Sequence, residues 1–294
     1  MTSIKKKTKK KQVNKNKKPF MKRSSLLFSK WTMGLIVVVA VSLAAFIGTF
    51  AWFTSSDQIA NAFEGTHLVA EIDETFSPKV DWQPGEKTTK EVRVKNTGDS
   101  PAIVRLSLYE FLLNFQIDVT DQTGNANLKT VDHPVTPEVD SKDTDTWSSA
   151  AKGKGTYKNN DTYYVSNQAW VSDPSSQTGM YEYGGAMQNE APFKYITLNF
   201  TKNLKTTVDA SATNDYWLYD SGYFYYSRVL QSGEMTDDLL KSVTLSESIP
   251  NQYKGSLYKL KVYMDAHDVT SPVLSAWNLS KGSPAYTLVE SQIK

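Results

Sequence analysis

"KEVRVKNTGDSPAIVRLSLYEFLL", residues 90–113, decides the fold. Its first run sets Val92 and Val94 between charged neighbours, the period-two pattern of a half-buried strand. Its second run puts Val104, Leu106 and Leu108 on one face and Ile103, Arg105 and Ser107 on the other, so one face is apolar and the other mixed. "NTGDSP" between them is turn chemistry, as is "QPGE" before them. Outward from this pair the same signature recurs. "AFEGTHLVAEI" (62–72) reads as a first strand. "FKYITLNF" (193–200) places Phe193, Tyr195, Thr197 and Asn199 opposite Ile196, Leu198 and Phe200. "GYFYYSRVL" (222–230) is aromatic and β-branched, "SVTLS" (242–246) comes next, and "YKLKVYMDA" alternates Leu260, Val262, Met264 and Ala266. Strand after strand without intervening helices predicts an all-β chain built as an antiparallel sandwich.

Two stretches break the pattern. Residues 115–190 are rich in Asp, Thr, Ser, Asn and Gly, with Trp147, Trp170 and several tyrosines among them. They read either as a long polar insertion at one end of the sandwich, ordered in part by its aromatics, or as a solvated loop. Residues 268–278, "DVTSPVLSAWN", read as one short helix with Pro272 near its first turn and Val269, Val273, Ala276 and Trp277 on a shared face.

Charge divides the chain. It has 33 Lys+Arg against 31 Asp+Glu, but residues 1–30 hold 12 of the basic residues and no acid. The remainder carries a net charge of −10. Such a body has little use for nucleic acid, because phosphate contacts need clustered Lys and Arg. From Met33 to Phe53 runs a stretch with no charged residue, long enough as a helix to cross a bilayer. The lysine-rich side stays in the cytoplasm, which places residues 54–294 outside the cell. The stretch is either a signal peptide or a permanent anchor. Thr49 and Ala51 supply the small −3 and −1 residues of a signal-peptidase site, with cleavage before Trp52. Met21 opens "MKRSSLLFSKW", an ordinary n-region by itself, so Met1 and Met21 are both candidate starts. The predicted organisation is a leader and signal peptide (1–51), a short segment (52–61), and a β-sandwich (62–294) carrying the insertion 115–190.

No enzyme constellation stands out. The chain has no cysteine, which excludes disulfides and thiolate chemistry, and it has no H-E-x-x-H and no G-x-S-x-G. Of the histidines, His67 falls in the first strand, His133 precedes Pro134, and His267 lies in "DAHD". Asp265, His267 and Asp268 form a candidate metal group whose plainer reading is a strand end running into a helix N-cap. "DVTDQTGN" (118–125) lacks the ligand spacing and closing Glu of a Ca²⁺ loop. The chain is therefore expected to be neither an enzyme nor dependent on a metal or other cofactor.

"GTFAWFTSSDQIANAFEG" (48–65), "QPGEKTTKEVRVKNTGDSPAIVRLSL" (83–108), and "DSGYFYYSRVLQSGEMTDDLL" with "LYKLKVYMDAHDV" together resemble the TasA/camelysin-like biofilm matrix proteins, most closely the BsaA branch. The resemblance spans 48–110 and 192–280 and is loose over the insertion. It implies a jelly-roll sandwich, export from a Gram-positive bacterium after processing by a SipW-type signal peptidase, and assembly into extracellular fibres with other matrix components. Camelysin-like members have been called metallopeptidases; the ligand pattern for that is missing here. In fibre-forming relatives the segment after the cut is a strand donated to the next subunit, which maps onto Trp52–Asn61. On one parity of that segment lie Phe53, Ile59 and Phe63, although Phe63 also fits the subunit's own first strand. An open sheet edge templates another strand, and such head-to-tail contacts give open filaments. The membrane enters this scheme only through the leader, before cleavage. The competing class is an exported module binding glycan or another surface ligand through aromatics such as Trp147, Trp170 and Trp217.

Overall fold

The computed structural model describes residues 59–61, 70–76, 84–120, 127–253 and 255–293, all within one compact unit. In chain order the strands are β1 (Ile59–Asn61), β2 (Ala70–Phe76), β3 (Lys87–Asn96), β4 (Ala102–Phe115), β5 (Thr130–Val131), β6 (Glu138–Val139), β7 (Thr156–Asn159), β8 (Thr162–Trp170), β9 (Ile196–Phe200), β10 (Leu204–Lys205), β11 (Trp217–Asp220), β12 (Tyr223–Tyr226), β13 (Leu240–Leu245) and β14 (Leu257–Asp268). Three short helices join them: α1 (Asp145–Ala150), α2 (Val273–Ala276) and α3 (Pro284–Gln292).

The strands form two sheets. The smaller runs β2-β3-β13-β9, every pair antiparallel. The larger is organised on β4. One edge of β4 pairs antiparallel with β14 over its whole length, from Leu257↔Leu113 to Asp268↔Ala102. The other edge is shared, with β12 against Arg105–Ser107 and β8 against Leu112–Phe115. β10 and β11 extend the β12 side, and β5, β6 and β7 extend the β8 side. Three pairings are parallel rather than antiparallel: β1 with β14, β10 with β11, and β6 with β7.

The inner faces of the two sheets enclose the main core. Ile72, Val92, Val94, Leu198, Val243 and Leu245 meet Val104, Leu106, Leu108, Leu260, Val262 and Met264 there. Lys90 shares the parity of Val92 and is fully buried with it, where charge alone would put it in water. Between β3 and β4, "NTGDSP" is not a hairpin turn, because its two strands lie in different sheets. Asn96 holds this crossing: its Oδ1 accepts from Gly98 N at 3.0 Å, and its Nδ2 donates to Ser100 O and Leu230 O at 2.9 and 3.0 Å.

All fourteen residues of β4 are buried, because both of its faces are covered. Over one half of the outer face lie α2 and α3, with Val273, Trp277, Leu288 and Val289 against Ile103, Leu218 and Tyr225. Over the other half lies the insertion, with Trp147, Ala150 and Val139 against Tyr109, Phe111, Leu113 and Phe115. Among its described residues the insertion thus supplies a packed layer over β4. The predicted helix 268–278 is reduced to α2, which stops where Asn278 takes φ 50°. Ala276 is exposed, not on the buried face. Helix α3 was not anticipated. The uncharged stretch 33–53, expected to be a signal peptide or an anchor, lies outside the described residues, as does His67.

Candidate functional site

The edge of β14 that faces away from β4 is where the N-terminal segment meets the body. β1 lies along it in parallel, with Ile59↔Val262, Ala60↔Tyr263 and Asn61↔Met264 in register. Along β14, Tyr258, Leu260, Val262, Met264 and Ala266 alternate into the core, while Tyr263, Asp265 and His267 face outward and are half-buried. The twelve residues of β14 are fully matched on the β4 side, whereas β1 matches three positions. A three-residue parallel pairing is a weak attachment, because parallel ladders are slanted and short ribbons are marginal in water. Of the candidate donor residues, the structure brings Ile59 to this edge. Thr49, Ala51, Trp52, Phe53 and Phe63 lie outside the described residues.

Of the "DAHD" residues, Asp265 is taken by Arg105, while His267 and Asp268 pair with each other. Asp265 accepts from Arg105 Nε and Nη2 at 2.9 and 2.8 Å. His267 Nδ1 lies 2.5 Å from Asp268 Oδ1, and its ring meets Trp277 edge-on at 6.3 Å. Asp268 ends β14, and its carbonyl accepts from Thr270 N; the residue before α2 is Pro272, so Asp268 is no helix cap. Among the described residues no group of three or more His, Cys, Asp or Glu is placed to hold a metal ion.

The tryptophans of the glycan-binding reading are structural. Trp147 and Trp217 are both 0% exposed. Their indole N–H groups donate to Asp140 O and Asp237 O at 2.8 and 2.9 Å. Trp170 packs against the main core and meets Tyr253 edge-on. Trp147 and Trp217 thus offer no free ring face of the kind a sugar needs, and Trp170 is half-buried.

Two features had no distinct sequence signal. Glu110, 2% exposed, projects from β4 into the core. Its Oε1 accepts from Tyr258 Oη at 2.7 Å and its Oε2 from Gln188 Nε2 at 3.2 Å. Burial pushes this carboxyl up from 4.5 to about 7, and the two hydrogen bonds pull the other way without offsetting it. The charge of Glu110, after burial itself, also raises the Tyr181 hydroxyl. The second feature is a cleft of about 300 Å³ on the outer face of the larger sheet, floored by Arg105 and walled by Tyr223 and Trp277.

Residues 26–136 match the family described as camelysin metallo-endopeptidase. Over that stretch the chain is similar to the camelysin family. The match takes in β1 to β5 and stops inside the insertion, before β6. The comparisons with curated proteins and with solved structures gave no match. The camelysin-like part thus contains β1 and the central strand β4, while β14 and the Arg105 cleft's helical wall lie beyond it.

Proposed function

We propose that this chain is an exported structural subunit of an extracellular biofilm matrix, of the TasA/camelysin type and its BsaA branch, and a scaffold rather than a peptidase. A SipW-type peptidase removes the leader before Trp52. The released segment Trp52–Asn61 then adds to the β14 edge of the next subunit, giving a head-to-tail fibre that other matrix components decorate. The observation that carries this reading is the parallel seat of β1 on β14. The segment expected to be donated lies against a sheet edge, in the geometry of strand addition, through a contact short enough to exchange. The same contact made between neighbours is heterologous and leaves open ends for growth.

The test compares two mature forms at equal concentration, one beginning at Trp52 and one lacking residues 52–60. Circular dichroism reports folding, and light scattering with electron microscopy reports fibres. Both forms should fold, since the main core lies downstream of residue 69, and the longer form alone should polymerise. Excess free peptide Trp52–Asn61 should stop growth. Equal fibre formation by the truncated form would overturn the reading.

A further inference from the structure

Arg105 is fully engaged within the chain. Its side chain is 9% exposed, paired with Asp265, and stacked between Tyr223 at 3.9 Å and Trp277 at 4.6 Å from the ring centroids. Its Nη1 points to Trp277 O at 3.5 Å. Such a guanidinium is a rigid, neutralised floor, with no charge left for an incoming anion. The other charged residue lining the cleft is Asp220. Its Oδ2 accepts from Ala285 N at 3.0 Å and its Oδ1 from Ser221 Oγ at 2.8 Å, so it is tied to the start of α3 and to its own turn.

The rest of the lining is uncharged and mixed, with Ser221, Asn278 and Ser280 exposed beside the apolar Ala276 and Leu279. Ser221 and Asn278 adopt φ 51° and 50°, the left-handed region that a non-glycine residue enters only when its surroundings hold it there. Ser221 belongs to the two-residue β11–β12 turn, whose second residue, Gly222, has φ 86°, a backbone that glycine adopts freely. Asn278 ends the α2 segment. Two fixed turns thus carry neutral donors and acceptors to the mouth of a cleft with aromatic walls.

We propose that this cleft is a binding site for one neutral saccharide residue. A pyranose offers an apolar C–H face for the half-buried ring of Tyr223, and a ring of hydroxyls that both donate and accept, while the buried Trp277 holds Arg105 from within. The lining answers with amide, hydroxyl and carboxylate groups and no net charge. Its volume is at the lower bound of ligand pockets, which suits a single sugar unit of a longer chain. An anionic sugar meets a guanidinium already paired, and a cation competes with a backbone N–H for Asp220. The site lies on side chains other than those of β1, so it does not depend on fibre assembly.

Saturation-transfer NMR on the purified full-length chain tests this, with methyl glucoside, methyl galactoside, N-acetylglucosamine and glucuronate as separate probes. The variant is Asn278→Gly with Ser280→Ala. Both residues are exposed, and glycine keeps the left-handed backbone, so the fold is preserved and far-UV circular dichroism verifies it. At least one neutral probe should receive saturation with millimolar affinity, and the double variant should weaken it about fivefold or more, the value of one lost hydrogen bond. No transfer to any neutral probe at about 20 mM, well above a millimolar dissociation constant, would overturn the proposal. So would equal transfer in the variant, or a preference for glucuronate.

Discussion

A carboxyl on the apolar face of a strand is where residue-scale chemistry departs most from pattern. Glu110 occupies a position that the alternation of β4 assigns to Leu or Val, and there it finds two donors and no cation among its hydrogen-bond partners. With its folded pKa raised to about 7, the native state keeps a proton that the unfolded chain has lost above 4.5. The contribution of Glu110 to stability is therefore best below pH 4.5, falls as pH rises between 4.5 and about 7, and stays low above that. The full swing is roughly 3 kcal/mol from the size of the shift. Glu110→Gln should remove this slope and raise the unfolding free energy at pH 8 relative to the parent, as denaturant titrations at pH 5 and pH 8 would measure. A Gln side chain still accepts from Tyr258, and once the Gln188 amide turns over, its N–H meets Gln188 Oε1, which has no hydrogen-bond partner among the described residues. An unchanged slope in Glu110→Gln would assign the pH dependence elsewhere. The proposed processing before Trp52 has its own test: Ala51→Lys would place a long charged side chain where a signal peptidase needs a small one. N-terminal sequencing of culture supernatant should find chain starting within one or two residues of Trp52 for the parent and no released chain for the variant. Parent protein recovered only at full length in membranes would favour the permanent anchor.

Elements are legible in a sequence to the extent that their own residues carry the signal. The alternation in "YKLKVYMDA" gave β14, and Val92 and Val94 gave β3, because one face of each meets the apolar core. β4 shows what alternation cannot say. Its outer face reads as mixed because Arg105 and Ser107 interrupt it, yet that face is as buried as the inner one, under α2, α3 and the insertion. The guanidinium there is accommodated by Asp265 on the neighbouring strand and by two aromatic rings, partners 118 to 172 residues distant in sequence. Helix α3 did have local signals, Ser283 as N-cap accepting from Tyr286 N and Pro284 in the first turn, and they passed unread. Trp147 and Trp217 show the opposite error: large aromatics in polar surroundings look exposed, but each has an indole N–H satisfied by a backbone carbonyl and its ring wholly buried. The parallel seat of β1 was beyond any local reading, since it depends on a strand some 200 residues away. The insertion supplies a test. Trp147→Ala should cost about 3–5 kcal/mol by urea titration, and hydrogen exchange should report the loosening first in residues 138–170. A cost under about 1 kcal/mol, the range of surface changes, would mean that the layer is held by something other than this ring.

At the scale of the whole molecule, the account turns on which chain supplies the strand on the β14 edge. An exported chain that carries its own edge strand is protected from aggregation while it folds, because the open edge is occupied. In the proposed assembly, exchange of that strand between copies would convert the protected monomer into a polymer without any new fold. On the proposed processing, a leader held in the membrane until cleavage would keep the segment from being donated too early. The absence of cysteine makes the decisive measurement clean. Ala60 and Tyr263 are register partners in the β1–β14 pair, and Tyr263 is half-buried on the outer face, within reach of an oxidant. Directly opposed residues of neighbouring strands lie within the Cα separation that a disulfide spans. Two single variants, Ala60→Cys and Tyr263→Cys, should be prepared in mature form, mixed, allowed to assemble, oxidised and run on a denaturing gel without reductant. The account predicts a dimer band that requires both variants and appears only in the assembled fraction. No mixed dimer in fibres, with the double variant closing only within single chains, would contradict it.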